Sequence, residues 1–233
     1  MIVVTVPAFN ELKNLRKCVE LLLQETRLLK EEFCIVIAED GSTDGTDIVA
    51  KCLEGTYSNV IYFHSAQRLG RGLALKRAWN KVEGDIYVFI DADLATNMKY
   101  YPQLINSIRE GNDLATGSRY IKGAIVNRPI LRDFTSRIYN MLIRVMYKDR
   151  VFDHQIGFKA FSKSLIRDEL NNCKSNGWFW DTEIIIRSIH NGYNFVEFPV
   201  EWKERQRERT ALKRLITDVI IHGLGLIRLQ RTL

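Results

Sequence analysis

Two carboxylates, Asp91 and Asp93, follow the apolar run Ile86 to Ile90 directly and stand two positions apart. Side chains at this spacing at the end of a strand can both reach one hard cation, directly or through water. Mg²⁺ and Mn²⁺ prefer oxygen ligands of this kind and share them with substrate phosphates. A solvated turn would carry the same two residues, so the pair alone leaves both interpretations open.

Two further polar segments follow apolar runs earlier in the chain. Residues 7–11 read PAFNE, in which Phe9 could stack on a nucleobase and Glu11 could bond a ribose or base. Residues 39–46 read EDGSTDGT, in which Asp40 could accept hydrogen bonds from a base or ribose. Both segments also have the composition of helix N-caps. Neither matches G-x-G-x-x-G, which counts against a dinucleotide-binding dehydrogenase.

These segments lie in a regular alternation of strands and helices. Apolar runs predict strands at 2–6, 33–38, 59–64, 85–90 and 113–117. Amphipathic spacing predicts a helix that begins at Asn10 or Glu11 and further helices over 43–53, 70–81 and 99–110. The alternation predicts an α/β fold with a doubly wound, mostly parallel sheet, in which ligands bind at the carboxyl ends of the strands.

The second half of the chain has a less regular pattern. It predicts a helix over 130–148, a strand and turn over 151–161, a helix over 180–191, a strand over 194–200 and a last helix over 210–230. The first and last of these helices carry basic and apolar side chains side by side. Each could be an interfacial helix at a membrane surface or an amphipathic helix packed on the domain.

Bulk properties limit the class of protein. The 233 residues carry a net charge of +6, from 34 Lys and Arg against 28 Asp and Glu, which favours an anionic partner without naming it. The four cysteines form no C-x-x-C pair, and buried free thiols fit a reducing compartment. Without a long apolar stretch or a basic leader region, the sequence predicts neither a transmembrane helix nor a signal peptide.

Taken together, these motifs resemble glycosyltransferase family 2, and within it the dolichyl-phosphate mannosyl- and glucosyltransferases. The resemblance covers about residues 2–205. Besides PAFNE, EDGSTDGT and the D-A-D of 91–93, it rests on RLGRGLA at 68–74, TGSRY at 116–120, DHQIGFK at 153–159 and WDTE at 180–183.

The resemblance implies a GT-A (nucleotide-diphospho-sugar transferase) fold and a role for each motif. Pro7, Phe9, Glu11, Asp40 and Asp91 would bind the nucleotide, and Asp91 and Asp93 would hold Mg²⁺ or Mn²⁺. The residues implied in catalysis are Asp93, Arg119, Arg132, Gln155 and Lys159, with Arg119 and Arg132 also meeting the acceptor phosphate.

The implied reaction is transfer of a hexose from GDP-mannose or UDP-glucose to a dolichyl or polyprenyl phosphate, with inversion. A peripheral protein on the cytoplasmic face of a membrane, with a possible membrane-subunit partner, would carry it out. The implied catalytic domain is 1–205, with a nucleotide-sugar half at 1–120 and an acceptor half at 121–205. Residues 206–233 would form a basic loop and a C-terminal amphipathic interfacial helix.

The sequence departs from the family pattern at two places. Ala95 stands where relatives often have Gln or His, and the segment 201–210, EWKERQRERT, replaces the family's acidic end. A family 2 enzyme with a polysaccharide or glycoprotein acceptor remains an alternative. A nucleotidyltransferase would usually show a glycine- and lysine-rich loop at 7–11, and acidic strand ends oppose a nucleic-acid partner, since they repel phosphates unless a metal intervenes.

Overall fold

The computed structural model describes residues 1–205 and 223–233. The strands in these residues are β1 (Ile2–Ala8), β2 (Phe33–Glu39), β3 (Val60–Phe63), β4 (Ile86–Ile90), β5 (Leu114–Ser118), β6 (Ile125–Asn127), β7 (Phe158–Ser162), β8 (Phe195–Pro199) and β9 (Glu201–Lys203). The helices with defined bounds are α1 (Leu15–Arg27), α2 (Thr46–Thr56), α3 (Arg71–Trp79), α4 (Tyr101–Arg109), α5 (Ile130–Tyr147), α6 (Lys163–Glu169) and α7 (Trp180–His190).

A seven-stranded sheet in the order β3-β2-β1-β4-β7-β5-β8 forms the centre. Only β7 runs antiparallel to its neighbours β4 and β5; the other pairs in this sheet are parallel. Apolar side chains of β1 and β4 alternate between two core clusters, one on each face of the sheet. Burial on both faces explains why these strands are nearly continuous runs of Val and Ile.

The register of the sheet brings the three polar segments together. Ala8 pairs with Glu39 at the ends of β1 and β2, and the Ala8 carbonyl accepts a hydrogen bond from the Asp40 amide at 2.9 Å. On the other side of β1, β4 is parallel to it and ends at Ile90. The segments 7–11, 39–46 and 91–93 therefore leave the sheet at one edge, as the pattern of the sequence predicted.

Helix α1 begins later than predicted because the turn before it is held by side chains from the next polar segment. Asn10 adopts a left-handed conformation with φ of 56°, so it is not itself part of a right-handed helix. Thr46 Oγ1 accepts a hydrogen bond from the Glu11 amide at 2.9 Å, and an Asp44 carboxylate oxygen accepts one from the Leu12 amide at 3.1 Å. The first helix starts at Leu15.

The start of α2 is also later than predicted. Gly45 has a φ of 94°, which disfavours any other residue, and Asp44 accepts hydrogen bonds from the amide and hydroxyl of Thr46 at 3.0 and 2.5 Å. Asp44 thus orders the turn before α2, whose N-cap residue is Gly45. The predicted helix over 43–53 is displaced to Thr46–Thr56.

Two predictions for the second half were incomplete. The strand and turn predicted over 151–161 are a turn followed by β7, which begins at Phe158. Helix α6 follows, and the sequence pattern did not indicate it. Strands β6 and β9 form a separate parallel pair through Ile125 and Glu201. Short strands of three residues give too little periodicity to be recognised in a sequence.

The predicted C-terminal helix is described in part, since 206–222 lie outside the described residues. Residues 223–230 are helical, and Leu226 and Leu229 are buried with Phe179 of the 170–180 connection and Ile143 of α5. This part packs on the domain through one face. In the described part of the chain no helix combines the length and hydrophobicity needed to cross a bilayer.

Two glycines within helices should respond oppositely to alanine. A Cβ on Gly72 of α3 would lie 2.5 Å from the Trp180 side chain, whereas one on Gly55 of α2 would meet nothing within 4 Å. We expect Gly72→Ala to lower the free energy of unfolding by about 1–3 kcal/mol through overpacking. Gly55→Ala should raise it by about 0.5–1 kcal/mol. Urea unfolding of both variants measures this, and equal effects of the two would contradict the packing described.

Candidate functional site

Asp91 is held against the backbone of the neighbouring antiparallel strand. Its amide donates to the Gly157 carbonyl at 3.0 Å, and its Oδ1 accepts a hydrogen bond from Arg71 at 3.1 Å. A Cβ on Gly157 would overlap the Asp91 carboxylate. Glycine at 157 therefore provides the space in which the first carboxylate of the pair lies.

Asp93 orders the turn that follows. Its Oδ1 accepts a hydrogen bond from the Ala95 amide at 3.1 Å, and Leu94 between them is left-handed with φ of 51°. A pocket opens beside the two carboxylates. Its lining residues are Ile90, Asp91, Asp93, Leu94, Ala95, Thr96, Gly157 and Trp202.

The pocket has the donor set of a substrate-assisted metal site. No group of three or more His, Cys, Asp or Glu suited to a metal occurs within residues 1–205 and 223–233. The side chains of this pocket that could hold a metal are the two carboxylates. Mg²⁺ is commonly held by one or two carboxylates, with substrate phosphates and water completing the shell. Gly157 lets the Asp91 carboxylate lie at this position in the pocket wall. The residues present fit a Mg²⁺ or Mn²⁺ ion bound together with a diphosphate.

The segments predicted to bind the nucleoside meet a third turn, residues 67–70. The Arg68 guanidinium stacks on the Phe9 ring at 3.9 Å. Both oxygens of Asp40 accept backbone hydrogen bonds, from the Leu69 amide at 2.7 Å and the Gly70 amide at 2.9 Å. In this structure Asp40 thus anchors the turn that carries Arg68 over Phe9.

Glu11 and Pro7 complete this edge of the sheet. Glu11 Oε2 accepts a hydrogen bond from the Asn14 side chain at 2.7 Å, and Pro7 pairs with Ala38 in the last part of β1. Beside them Glu39 is buried and bonds His64 Nδ1 at 2.6 Å and the Ser42 amide at 2.5 Å. The edge is thus a set of turns held by carboxylates, with the Phe9 ring and Glu11 at its surface.

Below the carboxylate pocket lies a buried group of charges. Arg71 bonds Asp181 of α7 as well as Asp91, and the Trp178 ring covers its guanidinium at 4.0 Å. Burial raises the pKa of Asp181 to about 6, against the opposing charges of Arg71 and Lys159. One Asp181 oxygen and Arg71 Nε are buried without a hydrogen-bond partner. These unpaired polar atoms are an unusual cost inside a fold and are typical of functional sites.

Lys159 of β7 is fully buried and belongs to the same group. Its Nζ donates to the Ile156 carbonyl, and the Phe89 ring lies 5.5 Å from it. Burial lowers the pKa of Lys159 to about 8, although the charges of Asp181 and Asp153 favour its protonated form. The lysine thus stabilises the floor of the pocket and lies among the carboxylates of both halves of the chain.

Arg119 and Asp153 form a buried bidentate pair. Arg119 donates from Nε and one terminal nitrogen to the two Asp153 oxygens, each at 2.7 Å, and its amide adds a third bond at 3.0 Å. Burial alone would raise the pKa of Asp153, but the charge and hydrogen bonds of Arg119 hold it below its usual value. One oxygen of Asp153 also accepts the Gln155 amide at 3.3 Å. The pair joins the TGSRY turn to the DHQIGFK segment.

Arg132, the other arginine implied at the acceptor phosphate, lies near the start of α5 and bonds Glu204. The described structure thus brings Asp91 and Asp93 to one pocket. Lys159 is buried outside its lining, close enough to Asp91 to interact with its charge, and Gln155 lies in the turn before β7. Each of the two predicted phosphate-binding arginines has a carboxylate partner. Their proposed roles at a phosphate remain predictions.

The sequence reasoning missed three side chains of this region, namely Arg71, Arg128 and Trp202. Arg71 lies between the two glycines of the RLGRGLA motif, for which the resemblance implied no residue role. Arg128 belongs to no motif that the resemblance covers. Trp202 lies 5.2 Å from the Arg119 guanidinium and also lines the carboxylate pocket, an arrangement that only tertiary structure creates.

Known proteins are similar to this chain in sequence. The sequence model of a family described as glycosyl transferase family 2 matches residues 3–171. Glycosyltransferase AglD of Haloferax volcanii is 36% identical over 97% of this chain, but the chain spans only 36% of that protein. Dolichyl-phosphate beta-glucosyltransferase ALG5A of Trichomonas vaginalis is 28% identical over 92% of this chain and 70% of its own length. Polyprenol monophosphomannose synthase of Mycolicibacterium smegmatis is 28% identical over 87% of this chain and 77% of its own length.

Solved structures share the fold. Glucosyl-3-phosphoglycerate synthase from Mycobacterium tuberculosis in complex with UDP aligns with a TM-score of 0.72 at 21% identity, over 98% of this chain and 79% of its own. The same enzyme with Mn²⁺ and UDP-glucose aligns with a TM-score of 0.66 at 19% identity, over 97% of this chain and 78% of its own. The likeness confirms the predicted GT-A fold with its mostly parallel sheet.

Proposed function

We propose, from the premise that the chain belongs to glycosyl transferase family 2, that it transfers a hexose from a nucleotide-sugar to dolichyl or polyprenyl phosphate. The donor is GDP-mannose or UDP-glucose. The observation that carries this proposal is the pocket in which Asp91, in the space left by Gly157, and Asp93 lie beside the nucleoside-binding edge of the sheet. Two of the relatives are named for transfer to dolichyl or polyprenol phosphate.

The donor would lie across the carboxyl ends of β1, β2 and β4. Pro7, Phe9, Glu11 and Asp40 would surround the nucleoside, with Asp91 and Asp93 at the diphosphate. A divalent ion held by these two carboxylates would supply charge compensation for the leaving diphosphate. The complex of the structural neighbour with Mn²⁺ and UDP-glucose supports a metal of this kind.

The protein's own cations would act on the same charge. Arg71 and Lys159 lie beneath the pocket and are largely desolvated, so their fields there are stronger than at a surface. Arg119 would reach a phosphate only through its second terminal nitrogen, because Asp153 takes the other two. Arg132 and Gln155 would complete the acceptor side.

The acceptor chemistry needs no general base. A phosphate monoester is ionised at neutral pH, so its oxygen attacks the anomeric carbon directly while the bond from that carbon to the diphosphate oxygen breaks. The electron pair leaves with the nucleoside diphosphate, and attack opposite to it inverts the anomeric configuration. The described histidines agree with this. His64 and His154 bond Glu39 and Asp149, His190 ends α7 at the surface, and none of the three lines the carboxylate pocket.

A lipid acceptor requires a membrane-facing surface, and α5 supplies one. Its inner side is buried at Ser136, Asn140 and Ile143. Its outer side exposes a continuous row of apolar side chains, namely Ile130, Leu131, Phe134, Ile138, Met141, Leu142, Val145 and Met146. An apolar helix face of this extent marks an interaction surface. The exposed cations Arg137 and Lys148 on the same element favour an anionic lipid surface over a protein partner.

Transfer itself tests the proposed function. Wild-type protein with Mn²⁺ or Mg²⁺, labelled GDP-mannose or UDP-glucose and polyprenyl phosphate in detergent should move label into the organic phase. We expect Asp91→Asn and Asp93→Asn each to reduce kcat/KM by about 100-fold or more, because each removes charge that holds the diphosphate site together.

The matched control is Asp168→Asn, an exposed aspartate paired with Arg167 on the surface. It should transfer like the wild type. Label found only in water-soluble acceptors would favour the polysaccharide or glycoprotein alternative. Undiminished transfer by an Asp91→Asn, Asp93→Asn double variant would overturn the proposed site.

Membrane contact has its own test. Phe134 and Val145 are 60% and 73% exposed on α5, while Leu28 and Ile48 are 68% and 70% exposed elsewhere. We expect Phe134→Ser with Val145→Ser to weaken sedimentation with mixed zwitterionic and anionic vesicles by about tenfold or more, since each buried apolar side chain contributes roughly 1.5–3 kcal/mol. Leu28→Ser with Ile48→Ser is the control and should bind as the wild type does. Equal binding by both double variants would rule out α5 as the contact.

A further inference from the structure

Arg128 lies between β6 and α5, and its charge has no carboxylate partner within the described residues. One terminal nitrogen donates to two neutral hydroxyls, Tyr120 at 3.1 Å and Ser136 at 3.0 Å. Its Nε is buried without a hydrogen-bond partner. The side chain is partly buried, so its charge is removed from much of the solvent without being neutralised.

Its neighbouring arginines differ in this respect. Arg119 is paired with Asp153, Arg132 with Glu204 and Arg137 with Asp133. Burial and the nearby positive charge of Arg119 lower the pKa of Arg128, and the smaller effects of Tyr120, Glu204 and Asp153 oppose this. A partly buried guanidinium that forms no ion pair with any described residue is costly to keep, and an anion that binds it from outside the fold would offset that cost.

The position of Arg128 indicates which anion this is. The Trp202 ring lies 5.2 Å from the Arg119 guanidinium and 5.5 Å from that of Arg128, and the same ring lines the carboxylate pocket. On its other side Arg128 contacts Ser136, on the buried face of α5, whose opposite face is the exposed apolar row. Arg128 therefore lies beside the ring that lines the carboxylate pocket and against the inner face of α5, the helix whose outer face carries the apolar row.

We propose that Arg128, aided by the hydroxyls of Tyr120 and Ser136, binds the phosphate monoester of the acceptor. This inference rests on the proposed transfer to a phosphate and adds a residue that no motif assigns. A guanidinium offers a planar set of donors that matches two phosphate oxygens, which a lysine at this position would not. The bound phosphate keeps its remaining oxygen for attack on the anomeric carbon.

The test uses the whole chain and a short lipid phosphate, farnesyl phosphate, in detergent. Its equilibrium binding to wild type, Arg128→Gln and Arg128→Lys is measured, together with KM for the same acceptor and binding of nucleoside diphosphate with Mn²⁺. We expect Arg128→Gln to weaken farnesyl phosphate binding and to raise its KM by about tenfold or more. Arg128→Lys should recover part of this loss, and nucleotide binding should stay within about twofold.

Two controls separate a binding role from a structural one. Arg109→Gln removes an arginine that pairs with Glu31 at a distance from the site. It should leave the binding of farnesyl phosphate and the KM for this acceptor unchanged. Without ligand, Arg128→Gln should unfold at the same or a higher temperature than the wild type, because it removes an uncompensated charge. A lower unfolding temperature with unchanged farnesyl phosphate binding would overturn the proposal.

Further probes identify the source of the phosphate. Farnesol lacks the phosphate, and glycerol 3-phosphate lacks the lipid. If farnesyl phosphate binds in an Arg128-dependent way and farnesol does not bind, the ligand is a lipid phosphate. If glycerol 3-phosphate binds equally well and with the same dependence on Arg128, the ligand is a soluble phosphate monoester at the same residue. Arg128-dependent binding without any sugar transfer would retain this site and remove the proposed function. Sugar transfer by the wild type, with acceptor binding and KM unchanged in Arg128→Gln, would retain the proposed function and remove this site.

Discussion

The buried guanidinium of Arg71 joins the parts of the chain on which the pocket depends. It bonds Asp91 at the end of β4 and Asp181 at the start of α7, and the Trp178 ring covers it. An ion removed from water in this way must be paired, or the site loses several kcal/mol. The close approach of α3 to α7 that this requires is possible because Gly72 leaves no Cβ between them.

A second constraint is the asymmetry of charge between the two halves of the pocket. The side proposed for the donor has carboxylates, with Asp91 and Asp93 at the surface of the pocket and Lys159 buried near them. The side proposed for the acceptor has arginines near Trp202, Tyr120 and the start of α5. Arg119, Arg132 and Arg137 are each paired with a carboxylate, and Arg128 forms no such pair among residues 1–205 and 223–233. This division of charge suits the proposed reaction, in which a cation would bind the diphosphate of the donor and an arginine would bind the phosphate of the acceptor.

The sequence predicted the sheet well because burial on both faces makes β1, β2 and β4 continuous apolar runs, and their polar ends mark the edge where ligands bind. It did not predict the insertion of antiparallel β7 between β4 and β5, since strand order depends on contacts distant in sequence. The start of α1 was predicted too early because Thr46 and Asp44, which belong to another polar segment, accept hydrogen bonds from the amides of Glu11 and Leu12. Arg128 was missed because an unpaired charge is recognisable only once the partners of its neighbours are known.

The central claim is that a metal and a nucleoside diphosphate bind together at Asp91 and Asp93, in the space that Gly157 leaves. Calorimetric titration of UDP and GDP into wild-type protein and a Gly157→Ala variant, each with and without Mn²⁺, tests it most directly. The account predicts that the wild type binds one of the two nucleotides only with Mn²⁺, and that the added methyl group displaces the Asp91 carboxylate and removes this binding from a folded variant. Equal binding without Mn²⁺, or unchanged Mn²⁺-dependent binding by folded Gly157→Ala protein, would contradict it.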